Sequence, residues 1–365
     1  MTRQKNKKTK CYIIAEAGVN HNGSIDMAKQ LIDIAANAGA DAVKFQTFKA
    51  EKVVSKYAPK AYYQKKTTAE TETQLDMIKK LELDESAHSI LIEHCHVRNI
   101  EFLSTPFDFE SIDLLARKLN LQHIKIPSGE ITNGPYLLCV AQTGKPVILS
   151  TGMSTLGEVE MALGVLAYGY LDKQDKPSLQ SFQDAYCSEA GRDVLKEKVT
   201  LLHCTTEYPA PFEDVNLCVM ETMRKALGLP VGLSDHTPGI AVPIAAVALG
   251  AAVIEKHFTL DRNLPGPDHK ASLEPNELKA MVTAIRQVET SLGNGQKIPT
   301  VSEWKNREIA RKSIVAAGSI KKGDLFAADN IAIKRPGDGL TPTTYWTLLG
   351  RPARKNYDAD EMIDE

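Results

Sequence analysis

The sequence predicts an α/β chain, a (β/α)₈ TIM barrel followed by a small, separate β-rich domain. Three observations predict it. From residue 11 onward, short runs rich in apolar and β-branched residues alternate eight times with stretches of helical periodicity. Polar side chains stand near the carboxyl end of almost every run, which is where barrels of this class keep their chemistry. Past residue 292 the chain turns to Gly, Pro and polar residues and then to short β-like runs separated by tight turns.

The eight runs, in order, are CYIIAEAG (11–18), DAVKFQTF (41–48), IEFLSTPF (100–107), HIKIPSGE (123–130), PVILSTGM (146–153), VTLLHCTTEYP (199–209), PVGLSDHT (230–237) and AVIEKHFTL (252–260). Between them lie helix signals: Ser24 before the spaced apolar residues Ile25, Ala28, Leu31, Ile32 and Ala35; Thr155 with Glu158 as a capping box; and GIAVPIAAVALGA (239–251) as a short buried helix. No GxGxxG or GxxxxGK[ST] follows any run, which favours a closed barrel over a nucleotide-binding open sheet. Residues 49–99 are too long for one helix, and APKAYYQKKTTAETETQ (58–74) reads as a loop entering the catalytic face. The polar stretch 171–198 reads as a surface excursion on the opposite, helix-to-strand side. The organisation expected is a basic leader (1–10), a barrel (11–292), a linker (293–306) and a small domain (307–365) close to the lower size limit for folding alone.

Composition narrows the function. Lys+Arg number 44 and Asp+Glu 46, a formal charge of −2, so no polyanion-binding footprint exists and the five basic residues of the leader read as a solvated arm rather than a nucleic-acid contact. Hydrophobic residues at 43% supply a full core and exclude long disorder. No stretch is apolar for long enough to span a bilayer, and MTRQKNKKTK is followed by no signal-like apolar region. The six cysteines, Cys11, Cys95, Cys139, Cys187, Cys204 and Cys218, form no CxxC pair and read as buried free thiols of a cytoplasmic protein.

The strand-end residues carry the chemistry. Glu16 ends the first run; Lys44 and Gln46 share a face of the second; Ser104 and Thr105 end the third; Lys125, Ser128 and Glu130 follow on the fourth, Ser150 on the fifth, Thr206 and Tyr208 on the sixth. Ser234 and His236 share a face of the seventh, as Glu255 and His257 do of the eighth. Any one of these taken alone reads most simply as a satisfied core polar group; the set does not. His236 and His257 on neighbouring strands predict an exchangeable divalent cation of the Mn²⁺ or Mg²⁺ kind better than structural zinc. Lys44 and Lys125, with the hydroxyls of Thr105, Ser128, Ser150 and Ser234, have few permanent anions nearby in this reading and suit a small substrate bearing phosphate and carboxylate. A Schiff base on Lys125 is the competing use of a barrel lysine. His94 and His96 around Cys95 do not face one way on a helix, and adjacent His203 and Cys204 point to opposite faces of a strand, so neither pair forms a site. His21 either touches substrate or fixes the first loop. Asp268, on the stiff LPGPDH loop, either binds sugar hydroxyls or caps a turn.

The segments IIAEAGVNHNGS, AVKFQTFKA, FLSTPFD, IKIPSGE, ILSTGM, HCTTEYPAPFEDVNL, GLSDHT, IEKHFTL, GPDH and KRPGDG, in that order, resemble the bacterial sialic acid synthase family over essentially residues 11–361. The resemblance implies a TIM barrel joined to a C-terminal antifreeze-like (SAF) β-clip domain, assembled as a domain-swapped homodimer. It implies condensation of phosphoenolpyruvate with N-acetylmannosamine, giving N-acetylneuraminate and phosphate. The alternative acceptor is 2,4-diacetamido-2,4,6-trideoxymannose, the precursor of N,N'-diacetyllegionaminate; a pseudaminic relative ranks lower. Carried over by motif, Lys44, Thr105, Lys125, Ser128, Ser150 and Ser234 would bind phosphoenolpyruvate, and His236 and His257 would hold the metal, Mn²⁺ ahead of Mg²⁺ or Co²⁺. Glu16, Lys125 and the two histidines would be catalytic. Gln46, Glu130, Tyr208, Glu255 and Asp268 would place the sugar, together with Arg335 of the partner subunit. Where some relatives carry an Asn, this chain has Thr205 and Thr206, to which no phosphate-binding role is given. A Schiff-base aldolase and a sugar- or ice-binding module are the two competing classes. Contacts that choose the sugar are expected on loops including residues 56–68.

Overall fold

A computed structural model describes residues 10–55, 57–58 and 73–364. The leader up to residue 9 and nearly all of the expected 58–74 and 56–68 loop segments lie outside them. The chain divides into two units, Met1–Leu292 and Gly293–Glu365.

In the first unit eight parallel strands form: β1 (Tyr12–Gly18), β2 (Ala42–Thr47), β3 (Glu101–Pro106), β4 (Ile124–Ile126), β5 (Val147–Ser150), β6 (Val199–Cys204), β7 (Val231–Asp235) and β8 (Val253–His257). They are hydrogen-bonded in the order β3-β2-β1-β8-β7-β6-β5-β4, and β3 packs beside β4 to complete a nearly closed barrel. Side chains alternate inward and outward along each strand. Inside, Ile14, Ala42, Leu103, Ile148, Leu202 and Val253 form one apolar layer, and two residues further along each strand stand Glu16, Lys44, Thr105, Ser150, Cys204 and Glu255. The apolar layer is therefore the floor on which the polar one rests. Outside, Ile13, Val43, Phe45, Leu149, Leu201 and Leu233 join the helices in the main core.

The helix signals act as the sequence indicates. Ser24 caps the helix Ile25–Ala38 by accepting from the Met27 amide, and Thr155 and Glu158 satisfy each other's amides at the start of Leu156–Tyr170. The 171–198 excursion is more ordered than a polar loop. It contains the helices Leu179–Cys187 and Glu189–Lys198, and Phe182 packs edge-on against Tyr168 at 5.3 Å. Gly164 makes that docking possible, since a Cβ there would lie 2.9 Å from the Phe182 carbonyl oxygen. Ala185 and Leu195 supply the buried face that the charged composition conceals.

One buried ion pair lies on the outer side of the barrel. Lys256 Nζ reaches Asp235 Oδ2 at 2.5 Å, and Thr237 donates to the same carboxylate through its amide and hydroxyl. Asp235 and Lys256 are register partners of β7 and β8, so the pair ties together the strands that carry Ser234, His236, Glu255 and His257.

The second unit differs from expectation at its start. Instead of a linker through residue 306, a helix runs from Val301 to Ala310, because Thr300 and Glu303 form a capping box. Antiparallel β9 (Ser313–Ala316) and β10 (Ile331–Lys334) follow, with Ile314, Ile320, Phe326, Ile331, Tyr357 and Ile363 in a small core.

Candidate active site

The carboxyl ends of the strands surround a cavity of about 370 Å³, lined by Glu16, Lys44, Gln46, Thr105, Lys125, Ser128, Ser150, Tyr208, Ser234, His236, Glu255, His257 and Asp268. These are among the residues singled out in the first unit, and Glu130 and Ser104 are not with them. Glu130 bonds Asn133 at 2.7 Å and lines an adjoining hollow with Lys52, Phe109 and Tyr136. The physical reason is that β4 ends at Ile126 and Ser128–Glu130 is a single 3₁₀ turn, so Glu130 is directed by the turn and not by the strand that brings Lys125 inward. Thr206 and Tyr208 likewise lie beyond β6 and reach the cavity from its loop. Ser104 faces outward and bonds Thr47 at 2.6 Å, which in turn meets His88 at 2.7 Å. Arg335, in the second unit, is exposed, and its Nε donates to Ala310 O at 3.1 Å.

Register explains the charge arrangement. Glu16 lies opposite Lys44 on β2 and opposite His257 on β8, while Ser234 lies between Cys204 and Glu255. The expectation that the lysines have few anions nearby is corrected here. Lys44 Nζ is 2.7 Å from Glu16 and 3.6 Å from Glu255, and Lys125 Nζ is 3.6 Å from Glu255. Lys44 also donates to Thr105 at 2.9 Å, Lys125 to Ser150 at 2.7 Å, and Ser234 to Glu255 at 2.8 Å.

Two lysines and two carboxyls buried together do not titrate alike. Burial raises Glu255, but the two lysines and the Ser234 hydroxyl outweigh it and hold the group below the ordinary carboxylate range. For Glu16 burial is the largest influence; Lys44 pulls its pKa down, Glu255 pushes it up, and the net direction is upward. Lys44 is held above its ordinary range by the two carboxyls against desolvation, whereas desolvation prevails at Lys125 and lowers it. Glu255 thus serves as the resident anion, and the upward direction at Glu16 favours cationic capacity in the cluster for an incoming anion. Burial also pushes Asp268, at the rim, up to about 6.

The histidines fit a divalent cation. Their rings stand 5.6 Å apart beside Tyr208, and burial lowers the pKa of both, leaving neutral imidazoles. His236 Nδ1 donates to Thr205 O at 2.6 Å, which frees the Nε2 lone pair on the Ser234 side. His257 Nδ1 is buried with no hydrogen-bond partner among the described residues. Among the same residues no group of three His, Cys, Asp or Glu side chains is arranged around one metal position, so the pair suits a site with open positions rather than a closed structural one.

Sequence reasoning missed Cys204. Its Sγ lies 3.1 Å from Ser128 Oγ on the cavity wall, and Ser128 also accepts from the Gly152 amide at 3.0 Å. A Cβ on Gly152 would come within 2.3 Å of Thr206 Oγ1 and 2.8 Å of Cys204 Sγ, so only glycine fits there. The parity of Cys204 with Leu202 was the available signal. Of the other thiols, Cys11 and Cys95 are buried, Cys139 is half-buried, and Cys187 and Cys218 are exposed, because the last two sit near helix ends. His21 fixes its loop: Nδ1 accepts from the Gly23 amide at 3.0 Å. Asn20 donates to Phe258 O at 2.8 Å and to Ser272 Oγ at 3.0 Å, and His269 meets Asn22 at 3.2 Å, so the first and last βα loops are laced together.

A barrel whose strand-end cavity gathers paired lysines, hydroxyls, carboxyls and two neutral imidazoles is built for chemistry on a small anionic substrate. The NeuB family model matches residues 31–297 and the SAF domain model residues 311–365. An N,N'-diacetyllegionaminic acid synthase of Campylobacter jejuni is 54% identical over 98% of this chain and 99% of that one. Another of the same name, from Legionella pneumophila, is 45% identical over 97% and 93%. The crystal structure of an N-acetylneuraminic acid synthetase from Leptospira borgpetersenii superposes with a TM-score of 0.65 at 32% identity, covering 84% of this chain and 94% of that one. The chain belongs to the NeuB family. It is an enzyme, a sugar-acid synthase of the sialic and legionaminic type with a C-terminal SAF domain. Among the described residues no helix is long and apolar enough to cross a membrane.

Proposed function

We propose that this enzyme condenses phosphoenolpyruvate with 2,4-diacetamido-2,4,6-trideoxymannose to give N,N'-diacetyllegionaminate and phosphate. The observation that carries the choice of sugar is the 54% identity, end to end, with a protein named for that product. It displaces N-acetylmannosamine, the acceptor expected first from the sequence.

The chain's own residues divide the work. Lys44 and Lys125, with Thr105, Ser128, Ser150 and Ser234, bind the carboxylate and phosphate of phosphoenolpyruvate through charge-assisted bonds in a dry setting. His236 and His257 would hold the divalent cation, Mn²⁺ ahead of Mg²⁺ or Co²⁺, which when bound polarises a carbonyl as a Lewis acid. Glu16, whose proton affinity is raised by burial, exchanges a proton with the reacting oxygens as C3 of phosphoenolpyruvate bonds to the sugar aldehyde and water adds at C2. Phosphate then leaves with C–O cleavage, its departure eased by the two ammonium groups. Gln46, Tyr208 and Asp268 orient the sugar from the rim. The resemblance adds a domain-swapped homodimer in which Arg335 of the partner subunit clamps an acyl-amino carbonyl; Arg335→Ala would then raise the sugar KM.

Phosphate release tests the proposal, measured with each sugar in Mn²⁺ and in EDTA. Metal-dependent release that favours the diacetamido sugar is expected. Preference for N-acetylmannosamine would move the assignment to sialic acid, and release unaffected by EDTA would remove the cation.

A further inference from the structure

The cavity is chemically two-sided. The polar groups come from the strand ends, but the loops after β1, β2 and β3 contribute a wall of another kind. Val19, Phe48 and Leu81 form a buried cluster with Ile78 and Phe107 packed on it, and all five line the cavity. Val54 and Met77, from the short helices Ala50–Val53 and Gln74–Lys79 and their ends, extend the same surface. Among the described residues that line the cavity from beyond the ends of β1–β3, Gln74 is the one with a hydrogen-bonding side chain.

We infer that this apolar wall is the specificity determinant for the far end of the sugar, selecting a C6 methyl over a C6 hydroxymethyl. The inference rests on the synthase assignment above and adds the residues that read the acceptor. In an eight-stranded barrel β2 faces β6 and β3 faces β7, so the wall stands across the cavity from Tyr208 and His236. The sugar's C1 must reach the polar centre to react, which sends C6, at the other end of the six-carbon chain, toward the rim. A methyl group there buries apolar surface against Met77, Ile78 and Val54. A hydroxyl in the same place would give up its water partners and find none on the side chains of Met77, Ile78 and Val54. Apolar pockets discriminate such small differences by about ten- to two-hundred-fold and no more, which sets the size of the effect.

The experiment compares 2,4-diacetamido-2,4,6-trideoxymannose with its 6-hydroxy counterpart, which differs by one oxygen atom, in wild-type enzyme and in Met77→Gln and Val54→Thr. Both substitutions keep side-chain volume and add a polar group; Val54 is only half-buried, so its variant tests the wall even where Met77→Gln folds poorly. The wild type should favour the 6-deoxy sugar in kcat/KM by about ten-fold or more. The variants should lower that ratio several-fold while the KM for phosphoenolpyruvate stays the same. A wild type that turns over both sugars equally, or variants that retain the wild-type ratio, would overturn the inference and leave the synthase assignment standing. A wild type inert toward both sugars in the presence of Mn²⁺ would overturn the assignment itself.

Discussion

Replacing Lys256 by methionine isolates the buried ion pair that ties β7 to β8. Lys256 and Asp235 have 0% and 1% of their side-chain surface exposed, so water cannot take over for a missing partner. Without Lys256 the carboxylate keeps, among the described residues, the Thr237 amide and hydroxyl. Breaking one side of a buried pair costs about 3–5 kcal/mol. Unfolding entropy near 2.1 cal/mol/K per residue gives a barrel of about 280 residues roughly 0.6 kcal/mol/K, so Tm should fall by about 5–8 °C. Circular dichroism melts at a fixed scan rate read this directly. The double variant Lys256→Met/Asp235→Leu should recover most of the loss, because an apolar replacement of both partners removes the uncompensated charge. A single variant melting within about 1 °C of wild type would refute the reasoning, since the pair would then contribute far less than the cost of an orphaned buried charge.

Lys125→Met should lower kcat/KM for phosphoenolpyruvate by about 10²–10³ or more in a phosphate-release assay, with the far-ultraviolet spectrum unchanged; full activity would remove Lys125 from the site. Gly152→Ala should raise the phosphoenolpyruvate KM, because its Cβ would displace Thr206, Cys204 and Ser128 together, and an unaltered KM would show that the wall can yield. Asp41 gives a pH test of stability at the other end of the barrel. Burial raises its pKa, but Lys10, the Ile13 amide and Arg286 outweigh burial and hold it below the ordinary range. Its contribution is therefore complete above the unfolded value near pH 4 and is lost as pH falls through the lower folded value. Asp41→Asn should flatten the acid limb of a Tm–pH curve, and parallel curves for the two proteins would exclude the linkage.

The barrel was legible because buried parallel strands make continuous apolar runs and their ends are punctuated by polar residues. Alternation placed Lys44 with Gln46 and Glu255 with His257 on common faces, and the structure brings all four to the cavity. Alternation says nothing of register, which is why Glu16 and Glu255 came as unexpected partners of the lysines: their pairing is set by how β1, β2, β7 and β8 slide against one another. Glu130 lies apart from the main cavity for a local reason, since β4 is only three residues long and the turn after it sets where Glu130 points. The helix Val301–Ala310 was hidden by the Gly and Pro before it, although Thr300 and Glu303 spelled out its cap. Cys204 is weighed only beside His203 and as a buried thiol, and Lys256 is not singled out, because a sequence does not distinguish a buried lysine from an exposed one.

The lacing of the first and last βα loops bears on how the protein is made. Asn20 and Asn22 emerge early from the ribosome, whereas Phe258, His269 and Ser272 follow some 240 to 250 residues later. At the other end, the amide of Cys11 waits for Glu289 at 2.5 Å, and Arg286 bonds Asp41. Contacts of such sequence separation form late and slowly. A nascent chain lacking its last third thus has no partner for its first loop and no β8, so the cavity is completed only late in synthesis. Until β8 arrives, the unpaired β1 edge is the surface a chaperone would have to cover.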